Sequence, residues 1–225
     1  MKKIVILTGA GISAESGLKT FRDSDGLWEG YRIEDVATPE AWQKNPTLVQ
    51  QFYNERRKAV LAAKPNAAHL SLVDLESKFK VNIITQNVDD LHEKAGSTHV
   101  LHLHGVITLA QSNVDPTLTY AINGWELNET DRCEHGQQLR PHVVWFGEGV
   151  PNWSLATRIC AEADFMIVIG TSLKVYPAAN LIDYAPKTAR KYIIDLDAPI
   201  VENEFVIVQQ AASKGVPELV SMLLA

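Results

Sequence analysis

Cysteine is scarce: two residues in 225, Cys133 and Cys160. Two thiols exclude a disulfide framework and point to a reducing compartment, so a cytoplasmic location is expected. Long apolar runs are missing too. None approaches the roughly 18 residues of a membrane span, so no membrane association is expected. The chain enters an apolar strand within its first few residues, without a leader's charged start, apolar middle and small-residue cleavage site. Positive charge is in deficit, with 21 Lys and Arg against 27 Asp and Glu and a net charge of −6. That sign argues against nucleic acid as a partner and is compatible with a cationic one. Internal repeats and low-complexity tracts are absent. What remains is an ordinary globular balance, 46% hydrophobic and 21% charged. The length suits one domain, alone or carrying a smaller lobe.

Five apolar runs each stop at a small or polar cluster. Ile4–Leu7 meets Thr8-Gly9-Ala10-Gly11, Val81–Ile84 meets Thr85-Gln86-Asn87-Val88-Asp89, and Val100–Leu103 meets His104-Gly105. Phe165–Ile169 meets Gly170-Thr171-Ser172, and Tyr192–Ile194 meets Asp195-Leu196-Asp197. Nearly continuous apolar runs read as strands buried on both faces of a parallel sheet. Ligands of such sheets sit outside the strand carboxyl ends, which is where these clusters gather.

The rest alternates. Strands are expected near 3–8, 81–85, 99–103, 142–146, 165–169 and 192–194. Helices are expected near 10–16, 39–63 with a break at Pro46, 66–79, 88–95, 153–163, 177–186 and 216–224. Residues 18–36 read as loop. Segment 106–140 is polar, carries Asn123-Gly124 and has no clean period, so it reads as an inserted lobe. Alternating strands and helices make an α/β fold with a parallel sheet flanked by helices.

Each motif has a plain reading beside a functional one. Gly9-Ala10-Gly11-Ile12-Ser13-Ala14 fits the dinucleotide fingerprint G-x-G-x-x-A, or else a tight strand-to-helix turn. The acidic residue expected about 20 residues later, to hold a ribose, is missing. A glycine-punctuated loop with Phe21-Arg22 and Gly26-Leu27-Trp28 stands there, able to close over a ligand. Gln86–Asp89 offers amides and a carboxylate for a ribose and a carboxamide, or else caps a helix. His102 and His104 share one strand face; His104 suits a general base, and His102 suits a hydrogen-bonded core position. Tyr53 and Arg56 share a helix face and either grip a carboxylate or belong to a solvated Arg56-Arg57-Lys58 surface; spacing alone favours the surface. Cys133 and His135 fall short of the four ligands of a structural zinc, and no metal is expected.

Read in order, these stretches resemble the sirtuins, NAD-dependent protein lysine deacylases. Gly9–Ser13, Ser16-Gly17, Phe21-Arg22, Gly26-Leu27-Trp28, Thr85–Asp89, Leu91-His92, His104-Gly105, Pro141–Glu148 and Gly170-Thr171-Ser172 carry the resemblance. It runs from about residue 4 to 225 and fails only over 106–140. Ala14-Glu15-Ser16-Gly17 with Tyr53 and Arg56 is similar to the bacterial class III members.

The resemblance implies one catalytic domain over 1–225: a Rossmann-like sheet with a small lobe from insertions near 30–75 and 106–140. It implies NAD held by Gly9, Ala10, Gly11, Ser13, Phe21, Arg22, Trp28, Gln86, Asn87, Val88, Asp89, Gly170, Thr171, Ser172, Asp195, Leu196, Asp197 and Ala212. His104 would be the base, and Asn87 would hold the nicotinamide-side ribose and a water. Acylated-lysine protein substrates would pair with Val144, Phe146, Gly147 and Glu148 on one side and Val175 and Tyr176 on the other, as an added strand. Tyr53 and Arg56 would recognise acidic acyl groups such as succinyl, with Ala10 and Gly11 leaving room in the acyl pocket. The family's zinc cysteines are replaced by Leu109–Asn113 and a lone Cys133. The lobe is then expected to fold through Leu118, Tyr120, Ile122, Trp125, Leu127 and Leu139. Asp195 stands where the family's adenosine-side Asn is expected. Other readings are an NAD sensor of weak catalysis, a mono-ADP-ribosyltransferase using the same site, and a dehydrogenase, which the missing ribose-binding acid disfavours.

Overall fold

The structure is a computed structural model, and it describes residues 1–20, 27–28, 30–199 and 205–225. The chain starts with β1 (Lys3–Thr8) and two 3₁₀ turns (Ala10–Ile12, Ala14–Ser16). A short ribbon of β2 (Leu27–Trp28) and β3 (Tyr31–Arg32) leads into α1 (Ile33–Val36), α2 (Pro39–Lys44) and α3 (Pro46–Ala62). Then come α4 (Ala67–Asp74), β4 (Lys80–Thr85), α5 (Leu91–Ala95) and β5 (Val100–His102). The second insertion holds β6 (Gly105–Ser112), β7 (Thr119–Ala121) and β8 (Leu139–Val143). The chain closes with α6 (Trp153–Ala161), β9 (Phe165–Ile169), β10 (Arg190–Ile194), β11 (Phe205–Val208) and α7 (Ala212–Leu224).

Six strands form one parallel sheet in the order β11-β10-β9-β1-β4-β5. Alternate side chains serve its two faces. Ile4, Ile6, Ile83, Ile167 and Ile194 pack under α4 and α7, through Leu72, Val216 and Leu219. Val5, Leu7, Ile84, Val168 and Ile193 pack under α6 and the 3₁₀ stretch Ala178–Tyr184. Both faces are dry over the central strands β9, β1 and β4, which is why those read as unbroken apolar runs. Each such Ile or Leu contributes about 1.5–3 kcal/mol by leaving water.

The helix boundaries follow local signals. Thr38 and Asn45 cap α2 and α3, each accepting from the main chain three residues on, and each is followed by proline. Asn66 and His69 form a capping box on α4.

Four expectations are corrected. Residues 10–16 form two 3₁₀ turns, not one helix, and Gly17 ends the second at φ +88°. Residues 178–184 are also 3₁₀, in the stretch bounded by Pro177 and Pro186. The strand expected at 142–146 is Leu139–Val143, and it pairs antiparallel with β6 outside the large sheet. A sixth parallel strand, Phe205–Val208, was not expected, although Phe-Val-Ile-Val carries the apolar signal.

The two insertions share one core. Val36, Trp42, Phe52 and Tyr53 from the helical insertion pack with Ile107, Val143 and Trp145. Arg57 pins them further. It is fully buried, and burial lowers its pKa to about 10. Its Nε donates to the Ile107 carbonyl at 2.6 Å, and one terminal nitrogen donates to Asn54 Oδ1 and the Trp125 carbonyl. The solvated Arg56-Arg57-Lys58 surface is therefore overturned: only Lys58 of the three is exposed.

A candidate active site where the strand ends meet

From β1 the chain moves to β4 and β5 on one side, and β9 leads to β10 and β11 on the other. The switch point lies between β1 and β9, where open α/β sheets hold ligands. There the loops after these strands cross in contact. Gly9 N–H donates to the Ile169 carbonyl and Gly11 N–H to the Gly170 carbonyl. A Cβ on Gly11 would stand 2.6 Å from Gly170 Cα, and one on Gly170 2.4 Å from Ile12 N. Gly170 also has φ +62°. These glycines are thus required by the crossing itself, whether or not a phosphate lies nearby.

The crossing opens onto a cavity of about 420 Å³. Every described residue expected to bind cofactor or substrate lines it, except Asp197. Asp197 instead donates its amide to Asp195 Oδ1. Phe21 and Arg22 lie outside the described residues.

Asn87 is held at three points. Its N–H donates to Thr85 Oγ1 at 3.0 Å, its carbonyl meets His102 Nδ1 at 3.0 Å, and its side-chain Nδ2 donates to the Gly9 carbonyl and Ser13 Oγ. Asp89 accepts from Ser13 Oγ and the Leu91 N–H. Burial raises its pKa against those two bonds. Gln86 Nε2 donates to Thr171 Oγ1, tying the β4 and β9 loops.

His104 has a defined tautomer. Its Nδ1 sits 2.9 Å from the Gln86 carbonyl, an acceptor, so Nδ1 carries the proton and Nε2 keeps its lone pair. Burial lowers its pKa, partly offset by that hydrogen bond. A neutral imidazole with an unprotonated nitrogen at the cavity is the state a general base needs.

The far wall comes from the small lobe. Tyr53 is fully buried at its ring, and burial keeps its phenol protonated. Arg56 lays its guanidinium 4.2 Å from the Trp28 ring centroid, a stacking that aims it along the wall. Sequence reasoning missed two supports. Arg140 stacks on Trp145 at 4.0 Å and pairs with Glu148 at 2.6 Å, and Glu148 also accepts from the Trp145 N–H. Asn66 donates to the Ile12 carbonyl and Ser16 Oγ, holding the β1 loop against α4. An Arg-Pro-His run and a lone Asn gave no signal of either.

The expected substrate strand pairing meets a difference. Val144–Glu148 is a turn, with Gly147 at φ +93°. Val144 and Phe146 already donate their amides to His104 and Ala37 carbonyls.

The residues present do not fit the zinc that the resemblance attaches to the second insertion. Among the described residues no three His, Cys, Asp or Glu side chains gather as a ligand set. Cys133 is buried with Ala110, Leu127 and Leu139, with Tyr120 and Ile122 packed against them. Leu118 and Trp125 lie outside that cluster, contrary to expectation; Trp125 is 39% exposed and faces Lys58 instead. No helix among the described residues is long and apolar enough to cross a membrane.

Comparison with known proteins shows the family. The Sir2 family model matches residues 9–177. An NAD-dependent protein deacylase of Bacteroides thetaiotaomicron is 48% identical over 100% of this chain and 99% of its own. One from Helicobacter pylori is 55% identical over 87% of this chain and 85% of its own. A solved Sir2 homolog–NAD complex superposes with TM-score 0.90 at 38% identity, covering 99% of this chain and 90% of that one. A Sir2 structure bound to acetylated peptide gives 0.82 at 28% identity, covering 97% and 92%. The chain belongs to the Sir2 family.

Proposed function

We propose that this protein is an NAD-dependent protein lysine deacylase acting on succinyl- and acetyl-lysine. The observation that carries the reading is one cavity: the unprotonated Nε2 of His104, the Asn87–Asp89 segment and the Tyr53/Arg56 wall all open onto it. Its relatives named as deacylases and the Sir2–NAD complex support the cofactor.

The residues fit NAD by their donor set. Gly9–Ser13 and Gly170–Ser172 offer main chain at a glycine crossing, and Asn87 and Asp89 offer polar atoms in a buried setting. Bound NAD would supply an electrophilic ribose carbon with nicotinamide as its leaving group. Asp89 holds the carboxamide, Asn87 the adjoining ribose side. His104 takes a proton from a ribose hydroxyl at Nε2 while the Gln86 carbonyl keeps Nδ1–H in place. Tyr53 and Arg56 bind the acyl carboxylate, and Val144–Glu148 with Val175 and Tyr176 border the peptide. Overall the acylated lysine, NAD and one water would give free lysine, nicotinamide and O-acyl-ADP-ribose.

Incubation with NAD and a succinyl- or acetyl-lysine peptide tests this. Deacylation matched by nicotinamide release supports it. NAD binding without turnover points to a sensor, and transfer of ADP-ribose to the peptide points to the transferase; either overturns the reading.

A further inference from the structure

His102 presents both ring nitrogens to acceptors. Nδ1 lies 3.0 Å from the Asn87 carbonyl oxygen, and Nε2 lies 2.7 Å from Glu93 Oε1. A carbonyl has no hydrogen to give. Burial works against the Glu93 carboxylate, but the hydrogen bond and charge of His102 outweigh it and hold the group below its usual range. A neutral imidazole carries one N–H and satisfies one of the two contacts; an imidazolium satisfies both.

The setting singles out Asn87. Thr8, Thr85 and His102 are register partners across β1, β4 and β5, so they form a polar row at the strand ends. Thr8 Oγ1 donates to Thr85 Oγ1, Thr85 Oγ1 accepts from the Asn87 N–H, and His102 Nδ1–H donates to the Asn87 carbonyl. With both main-chain ends held, the Asn87 side chain keeps one direction.

We propose that His102 is a charged positioning residue: a buried imidazolium that clamps the Asn87 carbonyl against Glu93 and so aims Asn87 at the cofactor. This rests on the reading of Asn87 as a cofactor-binding residue. The groups facing the ring are Glu93 and His92 on α5, Asp89 in the preceding loop and His142 on β8. Burial lowers the pKa of His102, but Glu93, the Asn87 carbonyl and Asp89 together raise it above the usual value. His102 is therefore charged below that raised pKa, and the clamp loosens as pH rises through it.

The state of the ring is readable without turnover. In ¹⁵N-histidine-labelled protein, imidazole NMR is expected to show both His102 nitrogens protonated at about pH 6, just below the ordinary imidazole value. Its titration midpoint is expected above the usual value of about 6.5, and Glu93→Gln should lower it. A single protonated nitrogen at about pH 6, or a midpoint unmoved by Glu93→Gln, overturns the proposal. Kinetics supply the second arm. His102→Phe is expected to cost roughly tenfold or more in kcat/KM for NAD with KM for the acyl peptide unchanged, the scale of a lost charged hydrogen bond. His102→Asn, whose amide can donate to the Asn87 carbonyl, is expected to recover most of it. Equal loss in both variants with intact thermal melts overturns the positioning role. A wild-type protein that is inactive but shows the imidazolium sinks the deacylase reading and leaves the charged ring established.

Discussion

The Trp145 indole N–H donates to the Tyr53 hydroxyl at 3.1 Å, joining α3 of one insertion to the turn after β8 of the other. The bond uses a lone pair of the phenol oxygen and leaves its proton to give. A buried phenol kept protonated, beside a guanidinium, is a donor pair suited to a carboxylate.

Replacing that pair is the sharpest test of acyl choice. Tyr53→Phe with Arg56→Met is expected to lower desuccinylation kcat/KM by about tenfold to a hundredfold, the scale of hydrogen bonds to a charged group. Deacetylation is expected to change much less. Equal losses on both acyl peptides would show that the pair is no carboxylate clamp.

The lowered pKa of His104 fixes an acid limb. The base works neutral, so on its acid side kcat/KM is expected to rise with pH, with a midpoint below the ordinary imidazole value of about 6.5, and to fall again where His102 loses its proton. His104→Tyr should abolish turnover of every acyl substrate. A midpoint at or above the ordinary value, or an active variant, removes His104 from the mechanism.

Two other histidines make the fold acid-sensitive. Burial lowers His69 to about 4 and, with repulsion from His69 and His102, His92 to about 3. Below about pH 6.5 the unfolded chain takes up a proton on each while the folded chain does not. Stability therefore falls with falling pH, by about 1.4 kcal/mol per unit per histidine, down to those lowered values. The raised His102 works the other way, adding stability as pH falls toward the ordinary value of about 6.5, and its contribution levels off below that. Tm measured from about pH 6 down to about pH 5 should drop steadily; a level curve there would mean the rings are not buried neutral.

The glycine crossing can be probed by contrast. Gly11→Ala forces a methyl against Gly170 main chain at 2.6 Å and is expected to cost about 1–3 kcal/mol or more, with weakened NAD binding. Gly17→Ala meets open space and only a left-handed backbone, at about 1 kcal/mol. Melting curves and NAD titrations of both variants decide. Similar behaviour of the two would refute the tight crossing.

The second insertion is expected to stand without metal. A chelator should leave Tm unchanged, while Leu139→Ala should cost about 2–5 kcal/mol by opening the Leu127–Cys133–Leu139 cluster. One zinc per chain, lost together with folding on chelation, would refute this.

Strand ends were legible because both-face burial leaves an unbroken apolar run that a polar cluster must terminate. That alone placed Gly9, Asn87, His104 and Gly170 along one edge. Direction was not legible: Leu139–Val143 reads like any strand, and only its partner β6 makes it antiparallel. Spacing put Arg57 on a wet face with Arg56, yet the carbonyls of Ile107 and Trp125 come from elements fifty or more residues away.

The amino-acid order by itself determined the parallel sheet, the polar rim at its carboxyl ends and the type of chemistry gathered there, since side-chain period and chain punctuation are local. Tertiary structure decided which nitrogen of His104 holds a proton, that His102 faces two acceptors, and that Tyr53 reaches Trp145. Those depend on distances between residues remote in sequence, and hydrogen bonding acts over ångströms, so only the folded chain sets them.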